Sequence, residues 1–204
     1  LGANHIGGLI LMGGNGTMRA AHRLCQSTLS GKMQIVGVPA TVDNDVMGTD
    51  RCPGYASAAR FVAQSVGEVA MDVQSLPLPV TIFETMGRDS GWLAGAAWLA
   101  RHEVNPAPHQ VYLPEFPFDL GDFLGSIRRS VDEQGWAMAV VSEGIRDRNG
   151  DFIYRTGDPS QKDQGGQQLP GDVACFLAGK VTGALLFRCR SEKPGLCGRT
   201  SMSH

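Results

Sequence analysis

Two aspartates that bracket an asparagine are the residues of this chain best suited to chemistry. Asp43 and Asp45 lie in residues 39–45, which are followed at once by Gly48, Thr49 and Asp50. The apolar run before them, residues 34–38, predicts a buried strand, so both carboxylates fall in the loop at its carboxyl end. Ligands bind at that edge of open α/β sheets. One carboxylate is suited to accept a proton from a hydroxyl, and the other to orient it or to hold Mg²⁺ through water.

A glycine-rich turn lies upstream of this loop. Residues 9–12 predict a strand, residues 13–17 a tight turn and residues 18–24 the start of a helix. Successive backbone N–H groups at such a turn, together with the positive end of the helix dipole, favour an anion. Each feature can also be explained without a functional role. The glycines would then form a connecting turn, and the aspartates an Asx turn or a helix cap. Taken together, the two loops indicate phosphoryl transfer to a hydroxyl.

Two common nucleotide-binding motifs do not match the glycine turn. The chain has no GxxxxGK[ST] sequence there, so the turn is not a Walker P-loop. No third glycine completes GxGxxG, and no acidic residue ends the next strand, so the pattern disfavours NAD.

Four other charged residues sit at the ends of predicted strands or near the end of the chain. Arg88 follows the predicted strand at residues 80–84, where its guanidinium could clamp a phosphate or pair with a surface acid. Glu143 ends the predicted strand at residues 137–141 and could accept sugar hydroxyls or simply face solvent. Arg190 and Arg199 flank Pro194 and Gly195, and alone they indicate little.

Composition restricts the class of protein and its partners. The chain has 204 residues, 42% of them hydrophobic and 19% charged, with a net charge of -2. These values are ordinary for a globular protein, and no basic stripe indicates a nucleic-acid partner. The apolar stretches are too short to cross a bilayer, so we expect no membrane partner. Five cysteines without a CxxC pair favour reduced thiols and a cytoplasmic location, and the scattered histidines disfavour zinc.

Strand and helix signals alternate along the chain, which predicts an α/β fold with mainly parallel sheets in two Rossmann-like three-layer units. Helices are expected near residues 55–73, 92–101, 120–133 and 173–183. Further strands are expected near residues 80–84, 111–113, 137–141 and 185–188. A domain boundary is expected near Gly54.

Six short sequences in a fixed order resemble the 6-phosphofructokinase family: GGNGT, PATVDND with GTD, ETMGR with GWLA, YLPE, VVSEG and KPGLCGRTS. The resemblance runs from about Gly13 to Arg199. It implies a phosphofructokinase-like fold and the reaction of fructose 6-phosphate, or a related sugar phosphate, to the 1,6-bisphosphate.

The resemblance also implies a role for individual residues. Asp43 matches the base that takes the proton from the sugar 1-hydroxyl, and Thr41 matches a contact to the transferred phosphoryl group beside Asp45. Arg88 matches the group that steadies that phosphoryl group. The positions that match the phosphate-donor loop are Gly14, Asn15, Gly16 and Thr17. The positions that match substrate binding are Thr41, Asp43, Asp45, Met86, Gly87, Arg88, Glu143, Arg190 and Arg199.

Two small residues, Gly16 and Ala40, indicate the phosphate donor. Family members that use pyrophosphate usually carry Asp at the position of Gly16 and Lys at that of Ala40. The Asp occupies space that a nucleotide needs and the Lys grips pyrophosphate, so this chain favours ATP, with pyrophosphate as the alternative. Asn15 stands where the family usually has an Asp associated with Mg²⁺, and an amide is a weaker ligand for that ion. Asn15 and Asp45 are therefore the tentative metal residues.

Three other departures concern the acceptor and the extent of the chain. Pro79 stands where many bacterial members have an Arg on the sugar 6-phosphate, and Leu196 replaces a His that contacts the sugar. The family's N-terminal glycine loop is absent, so we expect the chain to be a fragment. We expect residues 1–54 to belong to the donor domain, residues 55–195 to form the sugar-phosphate domain, and residues 196–204 to return to the first. The resemblance further implies a homodimer or homotetramer, and a non-catalytic sugar-phosphate-binding homologue is the alternative to an enzyme.

Overall fold

The structure is a computed structural model that describes residues 6–27, 33–154 and 171–195. The chain divides into two compact units, Leu1–Ala56 and Ser57–His204. The assignment of residues 1–54 to the donor domain and 55–195 to the sugar domain stays a prediction. The expected return of residues 196–204 to the first domain lies outside the described residues.

The first unit is a β-α-β element. Strand β1 (Gly8–Gly13) leads into helix α1 (Asn15–Cys25), and strand β2 (Gln34–Pro39) pairs with β1 in parallel, from Gly8 opposite Gln34 to Gly13 opposite Pro39. The carboxyl ends of both strands therefore meet at one edge. The glycine turn and the aspartate loop both leave from that edge.

The second unit contains a four-stranded parallel sheet in the order β4-β5-β3-β6. Its strands are β3 (Val80–Thr85), β4 (Gln110–Tyr112), β5 (Ala137–Ser142) and β6 (Cys189–Glu192). Every residue of β3 and β5 is buried. Apolar strands of this kind are expected where helices cover both faces of a parallel sheet.

Helices lie on both faces of this sheet. Helices α4 (Leu120–Gln134) and α5 (Val173–Leu185) pack on the face that carries Val80 and Ile82, around Phe123, Ile127 and Leu177. Helix α3 (Trp92–Ala96), which continues as a 3₁₀ helix (Ala97–Ala100), also contacts β3 and β5. Helix α2 (Tyr55–Ser75) reaches the opposite face, since its Asp72 pairs with Arg190, which lies in register with Thr81. The predicted parallel α/β fold is confirmed.

Three predicted elements differ from the structure. Residues 15–17 form the first turn of α1 rather than a separate turn, so the helix start itself presents the N–H groups. The helix expected over residues 92–101 changes to 3₁₀ geometry at Ala97. The strand expected at residues 185–188 is wrong, because Leu185 ends α5, Leu186 takes a left-handed conformation (φ 61°) and the strand begins at Cys189. This outer strand of the described sheet reads Cys-Arg-Ser-Glu, and such a polar edge strand gives no apolar signal.

Two further structural findings concern the length and apolarity of the helices and the state of the cysteines. Among the residues that the structure describes, no helix combines the length and apolarity that a bilayer crossing needs. Cys25, Cys52, Cys175 and Cys189 are free thiols.

Candidate functional site

The start of α1 is arranged to receive an anion. Helix α1 has eleven residues, Gly14 as its N-cap and no acidic side chain in its first turn. Its positive end is therefore not neutralised from within the helix. Gly13 lies so close to the Thr17 side chain that any Cβ at position 13 would overlap Thr17 Oγ1. Glycine at position 13 lets the chain turn sharply from β1 into α1.

The loops that follow β1 and β2 lie against each other. Ala40 donates its N–H to the carbonyl of Gly13 at 2.9 Å. A Cβ on Gly14 would lie 3.3 Å from Cβ of Thr41, so there is room for glycine and little else. Parallel pairing of β1 with β2 thus brings Gly14, which was predicted to bind the phosphate donor, close to Thr41, which was predicted to contact the transferred phosphoryl group.

Asn15 and Asp45, the two tentative metal residues, are hydrogen-bonded to each other. Asn15 Nδ2 donates to Asp45 Oδ2 at 2.8 Å and to the Asp45 carbonyl at 3.3 Å. No cluster of three His, Cys, Asp or Glu side chains that could hold a metal occurs in the described ranges. Mg²⁺ in phosphate chemistry is commonly held by one or two carboxylates, with substrate oxygens and waters completing the shell. The Asp45 carboxylate, which the amide nitrogen of Asn15 holds in place, is a carboxylate of this kind.

Asp43 lies two residues after Thr41 in a tight turn. Its backbone N–H donates to Thr41 Oγ1 at 3.3 Å. The residue is half-buried, and its Oδ1 is shielded from solvent. The turn fixes the backbone that carries the predicted base.

Asn44 holds the aspartate loop in shape, a role that the sequence did not reveal. It is buried and takes a left-handed conformation (φ 53°), which Asn tolerates better than most residues. Its Oδ1 accepts the N–H of Cys52 at 2.7 Å, and its Nδ2 donates to the carbonyl of Asp50 at 3.2 Å. The side chain between the two aspartates therefore points into the protein. An asparagine between acidic residues in a loop is the signal that could have indicated it.

In the second unit, four of the predicted sugar-binding residues, Met86, Gly87, Arg88 and Glu143, follow the carboxyl ends of the central strands. Thr85 of β3 is in register with Ser142 of β5, so Met86 and Glu143 follow from neighbouring positions. Glu143 donates its N–H to the Thr85 carbonyl at 2.9 Å. The structure brings these two predicted residues together.

The loop that carries Arg88 is fastened to the segment after β5. Ser142 Oγ donates a short hydrogen bond to the Gly87 carbonyl and accepts the N–H of Gly144 at 3.3 Å. A Cβ on Gly144 would overlap the carbonyl of Arg88. Gly87 itself has φ 123°, and a Cβ there would overlap the Ser90 carbonyl. Backbone contacts thus determine the position of Arg88.

Two ionic side chains support the same loop from outside. Arg146 pairs with Asp89 at 2.6 Å, and Glu115 Oε1 accepts the N–H of Gly91 at 2.7 Å. Glu115 is the acidic residue of the YLPE sequence, and the sequence alone indicated no role for it. It meets the start of α3, where a carboxylate is favoured by the helix dipole.

A cavity of about 210 Å³ lies at this edge and is lined by Glu84, Thr85, Met86, Glu143, Lys193 and Gly195. Glu84 is buried, and Lys193 Nζ lies 2.5 Å from its Oε1. Burial raises the pKa of Glu84, although Lys193 and the N–H of Ala174 counter part of that rise. For Lys193, burial favours the neutral form, but the hydrogen bond and charge of Glu84, with Asp172 and Glu143, raise its pKa overall.

Arg190 lies far from this cavity along its strand. It is in register with Thr81, three residues before the lining residue Glu84, which is about 10 Å at the usual strand rise, and it lies on the opposite face of the sheet from Glu84. Its guanidinium pairs with Asp72 at 2.7 Å and with Glu192 at 3.0 Å. Within this second unit, the structure therefore does not bring Arg190 together with Met86 and Glu143. Arg199 lies outside the described residues, as does Leu196.

Comparison with known proteins shows the family of the chain. The family model described as Phosphofructokinase matches residues 1–197. The chain belongs to the phosphofructokinase family. Among solved structures, the pyrophosphate-dependent phosphofructokinase of Nitrosospira multiformis superposes with a TM-score of 0.80 at 32% identity, covering 98% of this chain and 47% of that one.

Curated relatives in the phosphofructokinase family differ in donor and acceptor. A pyrophosphate–fructose 6-phosphate 1-phosphotransferase of Xanthomonas campestris is 37% identical over 98% of this chain and 49% of its own. A sulfofructose kinase of Alkalicoccus urumqiensis is 41% identical over 69% of this chain and 38% of its own. An ATP-dependent 6-phosphofructokinase 2 of Streptomyces coelicolor is 32% identical over 74% of this chain and 42% of its own. The chain spans about half the length of these relatives or less.

Substitutions at Asn44 separate its backbone conformation from its hydrogen bonds. Asn44→Ala loses both side-chain bonds and places at positive φ an alanine, which tolerates that conformation less well than asparagine, so we expect about 2–4 kcal/mol less unfolding free energy. In Asn44→Gly the glycine adopts the left-handed conformation without strain but makes neither hydrogen bond. We therefore expect about half the loss of unfolding free energy. Urea denaturation measures both. Equal stability of wild type and Asn44→Ala would show that the loop does not depend on this side chain.

Gly144→Ala tests whether the two loops of the second unit are fastened together. The new Cβ must push the Arg88 carbonyl away, so we expect a loss of about 1–3 kcal/mol in the free energy of unfolding. Gly125→Ala is the control, since a Cβ on that exposed α4 residue meets no heavy atom within 4 Å. Urea denaturation of both variants provides the measurement. Identical behaviour of the two variants would contradict the contact.

Proposed function

We propose that the protein transfers a phosphoryl group from ATP to the 1-hydroxyl of fructose 6-phosphate. The observation that supports this most is within the first unit, where the start of α1, which has no acidic side chain in its own first turn, adjoins the aspartate loop through Gly14 and Thr41. An anion at the helix start would thus lie beside a loop with two carboxylates. This is the arrangement that a phosphate donor and a hydroxyl acceptor require.

In the proposed mechanism, Asp43 takes the proton from the sugar 1-hydroxyl as its oxygen attacks the terminal phosphorus. The bond between that phosphorus and the bridging oxygen breaks, the bridging electrons leave with ADP, and fructose 1,6-bisphosphate forms. The N–H groups at Gly14, Gly16 and Thr17 would hold donor oxygens, and Thr41 would contact the transferred group. Positioning and charge stabilisation supply most of the rate in such reactions.

Mg²⁺ would be held by Asp45 with Asn15 and would neutralise charge on the donor phosphates. Asn15 also fixes the Asp45 carboxylate through its amide hydrogen bond. Arg88 would steady charge on the transferred group. In the second unit, Met86 and Glu143 line the cavity in which the sugar hydroxyls would bind.

ATP is preferred as donor because of the space at position 16. A Cβ on Gly16 would meet no heavy atom within 4 Å, so glycine is not required there by packing. The small residue leaves room in the first unit that an aspartate would fill, and Ala40 provides no cation for pyrophosphate. Pyrophosphate stays the alternative donor, supported by the Xanthomonas campestris and Nitrosospira multiformis relatives.

A sugar other than fructose 6-phosphate is an alternative acceptor of the phosphoryl group. Pro79 directly precedes β3 and offers no cation for a sugar 6-phosphate. The relative named sulfofructose kinase makes sulfofructose the second acceptor to test. A non-catalytic sugar-phosphate-binding protein is the remaining alternative to an enzyme.

The position of Arg190 supports sites that are shared between subunits. Arg190 lies about 10 Å along the strand from Glu84 and on the opposite face of the sheet, and its guanidinium pairs with Asp72 and Glu192 rather than lining the cavity of its own chain. In a homodimer or homotetramer it would serve a neighbouring copy. Its present partners, Asp72 and Glu192, would then compete with the sugar phosphate for it. We also propose a cytoplasmic location, without nucleic-acid or membrane partners.

Assays of the full-length protein decide donor and acceptor. Steady-state rates are measured with ATP or pyrophosphate, each with fructose 6-phosphate or sulfofructose. We expect ATP with fructose 6-phosphate to give the highest kcat/KM. Activity with pyrophosphate alone would overturn the interpretation of Gly16 and Ala40, and sugar-phosphate binding without turnover would support the non-catalytic alternative.

Asp43→Asn tests the base. Removing a general base costs about 10²–10⁴ in rate, so we expect kcat to fall by about 10³ with the KM for the sugar nearly unchanged. Asp132→Asn, which makes the same charge change on the exposed face of α4, is the control. Turnover near wild type in Asp43→Asn would remove Asp43 from this role.

A further inference from the structure

Glu84 is a buried carboxylate at the carboxyl end of the central strand β3, and the proposed reaction does not use it. Its side chain has no exposed surface. Oε2 accepts the N–H of Ala174, in the first turn of α5, at 2.8 Å, and Oε1 pairs with Lys193 at 2.5 Å. A buried charge needs such compensation, because its isolated desolvation is very costly.

Lys193 lies at the boundary between this buried carboxylate and the sugar cavity. It follows β6, and continuation of the β3–β6 register places it beside Glu84 on the same face of the sheet. Its side chain is 40% exposed, and it lines the cavity with Glu84 and Glu143. Asp172, the N-cap of α5, is the other acid whose charge acts on both members of the pair.

The lining residues therefore include two acids and one cation. With Lys193 in place, the charges of Glu84 and Lys193 cancel, and Glu143 supplies the net charge of the lining. Without Lys193, two carboxylates would face the same volume of about 210 Å³. A sugar phosphate is itself an anion, so the second carboxylate would repel it.

We propose that Lys193 determines the affinity of the cavity beside Glu143 for anionic sugars by cancelling the charge of the buried Glu84 carboxylate. Lys193 is thus a positioning and specificity-determining residue that acts through Glu84. The inference rests on the proposed function, because it takes the cavity as the acceptor site.

The ionisation of the pair supports this assignment. Burial raises the pKa of Glu84 even with Lys193 present, and loss of that cation raises the pKa further. A carboxyl whose folded-state pKa lies above its unfolded value stabilises the fold at low pH, and that stability is lost as the pH rises through the folded-state pKa. Removal of Lys193 should therefore do most harm at high pH and least at low pH.

The test compares wild type with Lys193→Met, Glu84→Gln and the double variant, in the full-length protein. KM and kcat for fructose 6-phosphate are measured at pH 8 and pH 6, each relative to wild type at the same pH so that ionisation of the sugar phosphate cancels. For Lys193→Met we expect KM to rise by about tenfold or more at pH 8, since a unit charge within about 10 Å of the sugar phosphate, at an effective dielectric constant of about 20, acts with at least this strength. We expect a smaller rise at pH 6, with kcat changed less than about threefold.

The double variant distinguishes charge from packing. Glu84→Gln in the Lys193→Met background removes the repelling carboxylate, so we expect KM to return to within about threefold of wild type at both pH values. An unchanged KM in Lys193→Met would overturn the inference. A rise that is the same at pH 6 and pH 8 and is not rescued by Glu84→Gln would also overturn it, because it would indicate a packing role.

A stability measurement keeps this inference separate from the proposed function. The melting temperature of each variant is measured from pH 5 to pH 8 without any sugar. We expect the deficit of Lys193→Met to widen by several degrees as the pH rises, and the double variant to show no such widening. If wild type neither binds nor turns over fructose 6-phosphate while this pattern holds, the proposed function fails and the charge pairing of Glu84 with Lys193 stands. If wild type is active and the pattern is absent, the inference fails alone.

Discussion

Parallel pairing of neighbouring strands is the constraint on which both candidate sites depend. Parallel strands end at the same edge, so the loops that follow them are neighbours however far apart they lie in the sequence. In the first unit this places Gly14 against Thr41 and allows Asn15 to bond Asp45. In the second unit it places Glu143 beside Met86. The chemistry of each unit is therefore concentrated at one edge of its sheet.

Hydrogen bonds and close backbone contacts then fix these loops. Asn44 uses both ends of its amide within the aspartate loop, and Ser142 connects Gly87 with Gly144. None of these residues needs to touch a substrate. They restrict the conformations of Asp43 and Arg88, and this preorganisation is what electrostatic catalysis requires.

The sequence predicted the parts whose signal is local. Buried β3 and β5 read as apolar runs, and the aspartates and glycines at strand ends were recognised from residue type alone. The edge strand β6 was missed because its side chains are largely polar. The apolar residues around the end of α5 were predicted to be the strand instead. The functions of Asn44, Glu84 and Glu115 depend on partners that are distant in sequence or on a left-handed backbone. Contacts between residues that are distant in sequence, and left-handed backbone conformations, cannot be predicted from a single sequence.

The contact between Gly144 and the Arg88 carbonyl has a consequence for variation in this protein. Because the two backbones touch, a change of shape in residues 86–88 must be matched by a change in residues 142–144. We therefore expect the two segments to vary together, although more than fifty residues separate them. A laboratory exchange of either loop between relatives would need to transplant both segments at once.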